Sequence, residues 1–308
     1  MDPGPGRAAE RGNDLKIAVF TKNRTNPAYE AARLGAARVA KRFGAETVDF
    51  TPVVPDDIGE QTQLVDEALA QRPDAFVIAP VHPTRMNDAL RRIEAAGIPI
   101  CAFVNPVLAA KCVTFAGSDD YALGTKVAEH LCRHLSGRGT VLLLAGPAES
   151  PTGIPRLRAF QDVLARHPGI RAIGPLPGAF HRDRARAETA RWLKEDGAPL
   201  DAVLAANDAM ALGAQDTLKA AGRNVIASGV NAIPEAIEAI KAGTMLSTAD
   251  FDAMNLAALA TECALRHLRG ESVPATVVLP VQLVERSNCS QWDLPFEKRP
   301  IRTLEELT

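Results

Sequence analysis

The 308-residue chain carries no excess of either charge. Its 35 basic and 37 acidic residues are mixed along the sequence, for a formal net charge of −2. A nucleic-acid binder would show a basic stripe, and an interaction tail an acidic block; neither is present. Cysteine is scarce and unpatterned. Cys101, Cys112, Cys132, Cys263 and Cys289 form no CxxC spacing, and five thiols cannot all pair within one chain. Several lie in apolar or helix-patterned stretches, where cysteine acts as a small hydrophobe. No run reaches the roughly 20 apolar residues that a membrane-spanning helix needs. Nucleotide and hydrolase signatures are missing as well: no GxGxxG follows the first apolar run, and no GxxxxGK(S/T), GxSxG or HExxH occurs. Aromatics make up only 5% of the chain, so an aromatic beside a loop stands out.

Apolar residues are plentiful, at 46%, enough for one large or two medium packed domains. They are arranged in short continuous runs: LKIAVF (15–20), AFVIAP (75–80), IPICAFV (98–104), TVLLLAG (140–146), DAVLAAN (201–207) and VIASGVN (225–231). A strand buried on both faces must be apolar throughout, and such strands belong to parallel sheets covered by helices. A helix pattern follows each run. Asn26 caps a helix with Pro27 in its first turn, and Asp119 or Asp120 caps another. A helix over 56–71 opens on two acids, as the helix dipole favours. Helices are also expected at 208–221, 234–241 and 251–268, and TVVLPVQLV reads as a closing strand. Alternation of this kind implies right-handed βαβ units.

The alternation runs twice. The expected fold is α/β, with two doubly wound parallel-sheet lobes joined by a multi-crossing hinge. One lobe takes 15–116 plus 251–279, and the other 117–250 plus 280–290. Segment 1–14, MDPGPGRAAERGND, is read as a disordered tail without an apolar signal core, and 291–308 as a C-terminal tail.

Ligands in doubly wound sheets bind beyond the carboxyl ends of the strands. Here those positions hold Lys22 to Tyr29, His82, Val104 to Pro106, Asn207 and Asp208, and Asn231. Few of these are catalytic types. The amides of Asn26, Asn105, Asn207 and Asn231 both donate and accept hydrogen bonds, as a polyhydroxylated ligand requires. Tyr29 and Phe180 either lay flat faces against a ring or pack in the core. Asp208 is expected to cap or orient, while Asn207 faces the cleft. His82 is a site candidate by position, or a loop residue beside Pro83. His130 and His134 stand four apart on one helix, but no third ligand is near them in the sequence pattern. They read as a solvated face, and no metal or cofactor is expected.

At these residues the chain resembles the periplasmic sugar-binding proteins of the ribose-binding type, which are similar to the effector domains of LacI-type repressors. The resemblance covers roughly 16–284. NPAY (26–29) matches the family's N-P-(F/Y)-(F/Y/W). GSDDYALG (117–124) matches S-D-N-x-x-x-G at the crossover. RLRAF (156–160) matches R-x-x-G-F, with Ala159 for Gly. NDAMALGA (207–214) matches N-D-x-M-A-L-G-A, and GVNAIPEA (229–236) matches G-(F/V/Y)-D-x-x-P. AGTMLSTADFD (242–252) matches the return to the first lobe.

The resemblance implies a type I periplasmic binding protein and a set of ligand contacts. These are Lys22, Asn26, the stacking positions Ala28, Tyr29 and Phe180, then Asn105, Asn207, Asn231, and Phe251 or its neighbour Asp250. Three departures matter: Val104-Asn105 replaces Asp-Arg, Asn231 replaces Asp, and Ala28 replaces an aromatic. Carboxylates are the strongest acceptors for sugar hydroxyls, so a polyol or a modified or acidic sugar is expected rather than simple ribose. Lys22, Arg24 and Arg156 are the candidate partners for an acidic ligand, although the family places Arg156 in a helix with a structural role.

The function implied is the substrate-binding component of an ABC-type importer. It would bind a sugar-like small molecule in the cleft between the lobes, close by a hinge, and be read by an inner-membrane ABC permease. It needs no catalysis, no cofactor and no nucleic acid, and the location implied is periplasmic. The alternative is a cytoplasmic ligand-sensing domain, related to LacI-type effector domains but without a DNA reader. An enzyme on the same fold is a third reading, which conversion of a bound substrate would support.

Overall fold

A computed structural model describes residues 15–307, so the disordered tail expected at 1–14 lies outside them. The chain divides into two compact units. The first holds the chain up to Ser118, Asp252–Leu279 and the segment from Phe296 onward; the second holds Asp119–Phe251 and Pro280–Pro295.

In the first unit, β1 (Lys16–Phe20), β2 (Glu46–Phe50), β3 (Ala75–Ile78), β4 (Ile100–Phe103), β5 (Cys112–Ser118) and β11 (Thr276–Leu279) form one sheet. Its order is β11-β5-β4-β3-β1-β2, and every pairing is parallel. The helices are α1 (Pro27–Arg42), α2 (Ile58–Ala70), α3 (Asn87–Ala95) and α9 (Ala253–Leu268). β1, β3 and β4 are buried along their whole length except at Lys16, which is why they read as apolar runs. Under α2 and α3, Phe20 stacks between Phe50, at 4.9 Å between ring centroids, and Phe76, at 5.4 Å. Burying one such ring contributes about 2–3 kcal/mol.

α9 is buried on all sides from Ala253 to Leu265, as a helix apolar around its whole circumference must be. Its polar residues are matched. Thr261 Oγ1 donates to Ala257 O at 2.7 Å, and Glu262 pairs with Arg266 at 2.8 Å.

The second unit repeats the plan. β6 (Arg138–Ala145), β7 (Gly169–Pro177), β8 (Ala202–Ala205), β9 (Ile226–Val230), β10 (Met245–Asp250) and β12 (Gln282–Glu285) are ordered β12-β10-β9-β8-β6-β7, with β12 antiparallel to β10. Its helices are α4 (Asp120–His134), α5 (Gly153–Ala165), α6 (Arg182–Glu195), α7 (Asp208–Ala220) and α8 (Pro234–Ala242). In each sheet the chain reverses its direction of travel once, between β1 and β3 and between β6 and β8. Those are the switch points at which such sheets bind ligands.

Several expectations need correction. TVVLPVQLV is two strands, because Pro280 has no N–H to continue a ladder; β11 joins one sheet and β12 the other. The helix expected from 56 begins at Ile58, with Asp57 as its cap, accepting from Glu60 N at 2.7 Å. Segment 291–308 is not a free tail. Trp292 Nε1 donates to Asp250 Oδ2 at 2.6 Å in the second unit. From Phe296 on, the chain lies on the first unit. Arg38 donates to Arg299 O at 2.7 Å, Arg302 N donates to Asn255 Oδ1 at 2.7 Å, and Arg266 donates to Glu305 at 3.0 Å. His130 is not solvated either. It is half-buried, with Nε2 2.9 Å from Glu285 Oε2, and desolvation holds its pKa below the ordinary histidine value.

All five cysteines are free thiols. Burial pushes Cys263 up to about 11 and raises Cys101 and Cys112 as well, so these thiols behave as core residues.

Candidate functional site

In the first unit, the candidates sit on the loops after β1, β3 and β4. Asn26 caps α1, its Oδ1 accepting from Ala28 N at 3.0 Å, and its own N–H donates to Asn23 Oδ1 at 2.9 Å. Tyr29 is buried on the first turn of α1. Lys22 is buried, and its Nζ lies 3.7 Å from Asp56 Oδ1; that carboxylate also accepts from Asn23 Nδ2 at 3.3 Å. His82 Nδ1 accepts from the N–H groups of Thr84 and Arg85 at 3.2 and 3.1 Å, so that nitrogen holds the turn into α3.

The most telling geometry is at β4. Val104 leaves the strand at φ +62°, a region costly for a β-branched residue, by about 1–3 kcal/mol. Asn105 follows, fully buried. Its Nδ2 donates to Pro80 O at 2.7 Å, while its Oδ1 is buried without a hydrogen-bond partner. A buried acceptor left unmatched costs about 1–3 kcal/mol.

In the second unit, the candidates follow β7, β8, β9 and β10, with Arg156 on α5. Arg156 is buried, and each of its three guanidinium nitrogens has a partner. Nε and Nη2 both reach Asp120 Oδ1 at 2.7 Å, and Nη1 donates to Ala206 O at 2.9 Å. Its guanidinium lies 6.0 Å from the ring centre of Phe180 and 5.6 Å from that of Phe251, so it supports both aromatics by cation–π attraction. Phe180 is held at φ +67°.

Asn207, expected to face the ligand, is itself the cap of α7. Its Oδ1 accepts from Met210 N at 2.9 Å, and its Nδ2 donates to Phe180 O at 3.1 Å. Asp208 lies just inside the helix and binds elsewhere: it accepts from Thr248 Oγ1 at 2.7 Å and from Ile233 N at 3.1 Å. Asn231 sits at φ +128°, is 8% exposed, and keeps a buried Oδ1 without a partner. Asp250 receives the Trp292 indole.

Three amide oxygens are thus buried and unmatched among the described residues, and two of them, at Asn105 in the first unit and Asn231 in the second, stand beside strained backbone at the carboxyl end of a sheet, whereas Asn87 Oδ1 lies on α3. Backbone strain of this kind concentrates at ligand clamps. Among the described residues, no cluster of three or more His, Cys, Asp or Glu side chains is placed to hold a metal ion.

The family model of the periplasmic binding protein domain matches residues 17–272. The chain belongs to this family. A xylitol-binding protein of Mycolicibacterium smegmatis is 31% identical over 197 residues, which cover 63% of this chain and 56% of that protein. An ABC transporter solute-binding protein from Mycobacterium smegmatis, solved with bound glycerol, superposes with a TM-score of 0.82 at 30% identity, covering 90% of this chain and 96% of that one. Another from Bacillus halodurans, with bound myo-inositol, gives a TM-score of 0.83 at 25% identity, covering 92% and 98%. This family binds solutes, and the chain is a binding protein rather than an enzyme.

Within this periplasmic binding protein, several supporting residues escaped the sequence pattern. Gln61 on α2 is buried; its Nε2 donates to Thr21 O and Ala79 O at 3.3 and 3.2 Å, and its Oε1 accepts from Val81 N at 2.9 Å. It thus ties the ends of β1 and β3 together at the switch point. Asn23 organises the loop before α1, and Asp120 neutralises Arg156. A lone buried Gln gives no periodic signal, so only the fold reveals such a strut.

Proposed function

We propose that this protein is the solute-binding component of an ABC-type importer and that its cargo is an uncharged polyol or sugar. One observation carries the choice of cargo: both buried cations in the candidate set already have a carboxylate, Asp56 for Lys22 and Asp120 for Arg156. What the faces leave unmatched is amide oxygen, at Asn105 and Asn231. An amide oxygen accepts a hydroxyl proton without adding charge. The xylitol, glycerol and myo-inositol of the similar proteins are uncharged and rich in hydroxyls, which supports this reading. The location that goes with it is the periplasm, and the partner an inner-membrane permease.

The test is a thermal-shift screen followed by calorimetry with xylitol, myo-inositol, glycerol, ribose and gluconate. A compound at 100 times its Kd adds about 2.7 kcal/mol of stability. Asn105→Ala and Asn231→Ala should each weaken the same compound. Loss from only one of them, or tightest binding of gluconate, would overturn the proposal.

A further inference from the structure

We propose that Asp208 and Thr248 are positioning residues that set cargo affinity by fixing Asn231, without touching the cargo themselves. The proposal rests on the reading of Asn231 as a cargo contact. Asn231 and the next residue, Ala232, both have positive φ, +128° and +52°. Three successive backbone N–H groups pin this turn. Asn231 N donates to Ala249 O at 2.8 Å, Ala232 N to Thr248 Oγ1 at 3.2 Å, and Ile233 N to Asp208 Oδ2 at 3.1 Å. Thr248 Oγ1 gives its own proton to Asp208 Oδ1 at 2.7 Å, which orients its lone pairs toward Ala232. One carboxylate thus holds two adjacent peptides, one directly and one through a hydroxyl.

Nothing in this arrangement fills the acceptor it presents: the Asn231 Oδ1 is buried and unpartnered. The strand beneath is shaped to admit the carboxylate. A Cβ on Gly229 would stand 2.3 Å from Asp208 Oδ1 and 2.9 Å from Asp208 Cα. Asp208 itself is completely buried. Arg156 is the charged group whose field reaches it, yet that guanidinium spends its donors on Asp120 and Ala206. Desolvation consequently lifts the Asp208 carboxyl to about 6. A buried acid kept at that cost, with its hydrogen bonds aimed at one strained turn, is suited to orient that turn rather than to fill space.

The test is a double-mutant cycle read as affinity for xylitol, myo-inositol and ribose by calorimetry. Thr248→Val, Thr248→Ser and Asp208→Asn are each made with Asn231 present and in an Asn231→Ala background. Thr248→Val should weaken binding roughly tenfold or more, Thr248→Ser should stay within about twofold, and Thr248→Val should add less than about twofold once Asn231 is gone. Equal losses in both backgrounds would overturn the proposal, because a purely structural role does not depend on Asn231. Should Asp208→Asn fail to fold, the Thr248 series carries the test. Amide hydrogen exchange in the cargo-free protein is the second readout. Thr248→Val should speed exchange at Ala232 and Ile233 by about tenfold or more, and unchanged rates would overturn the positioning role whatever binds. If none of the three compounds binds, these three fall as cargo, while the exchange result still decides this inference.

Discussion

Asp120 receives both Nε and Nη2 of Arg156 on a single carboxylate oxygen, each at 2.7 Å. The pair is buried, with side-chain exposures of 4% for Arg156 and 12% for Asp120. It converts Arg156 from a candidate ligand group into a platform: the guanidinium is fixed in plane by Asp120 and Ala206 O, and Phe180 and Phe251 lie against it. Arginine suits this task because its planar fork can bond at the edge while offering its face to aromatics.

Breaking this pair from one side should be expensive. Arg156→Met removes the cation from a buried pair, and loss of one member of such a pair costs roughly 3–5 kcal/mol. Adding Asp120→Asn to Arg156→Met should recover a large part of that loss. Urea unfolding of the wild type, both single variants and the double variant measures it. A double variant as unstable as the sum of the singles would show that the two residues do not act as a pair.

Charge compensation at both faces also fixes how binding responds to salt and to ligand charge. A neutral cargo held by amides and aromatic faces should keep its Kd within about twofold between low and high salt, since no unscreened ion pair forms on binding. Gluconate should bind at least about tenfold more weakly than glucitol, because its carboxylate would be desolvated beside two buried cations, Lys22 and Arg156, that already face carboxylates. Calorimetry with this matched pair decides the point. Tight gluconate binding that Lys22→Ala abolishes would restore the acidic-sugar reading.

The strands were legible because burial on both faces forces an unbroken apolar run, as in Ala75–Ile78 and Ala202–Ala205. The first helix was legible because its cap is local, with Asn26 bonding two residues ahead. What escaped was set by partners far along the chain. Trp292 and Asp250 are 42 residues apart, and Arg156 and Asp120 are 36 apart. No spacing rule connects such pairs. Which of Asn207 and Asp208 caps α7 escaped for a related reason. Either residue type caps a helix, and only the register of α7 against Thr248 and Ile233 decides which one turns inward. The boundary between the lobes was legible at Pro280, but apolar residues on both sides concealed that the proline interrupts what read as one strand.

Ala159, standing where the resemblance led us to expect glycine, is accommodated by a glycine opposite. A Cβ on Gly124 of α4 would stand 2.7 Å from Arg156 O and 2.9 Å from Ala159 Cβ on α5. The first of these is a backbone atom and cannot swing away. Gly124→Ala must therefore push the two helices apart, at a cost of about 1–3 kcal/mol for overpacking, despite the better helix propensity of alanine. Chemical denaturation measures it, and a variant as stable as the wild type would contradict the close approach.

Asp208 should leave a signature in the pH dependence of stability. Its carboxyl is raised from 3.8 to about 6, chiefly by desolvation; the hydrogen bonds from Thr248, Ile233 and Ala232 and the field of Arg156 oppose the shift without cancelling it. Between these two values the native protein holds a proton that the unfolded chain has released. Stability at this position is therefore greatest below the unfolded value and falls as pH rises toward and through about 6, by about 3 kcal/mol in all. Asp49 and Asp252 are also raised by burial and slope the same way, so the wild type alone cannot isolate the effect. Subtracting the unfolding free energy of Asp208→Asn removes their share, because that variant keeps both carboxyls and lacks only the one at 208. The difference, wild type minus variant, should decline from pH 4 to pH 7. A difference that stays level or climbs over that interval would mean that the buried carboxylate is ionised at little cost, and that its bonds to Thr248 and Ile233 outweigh the loss of water.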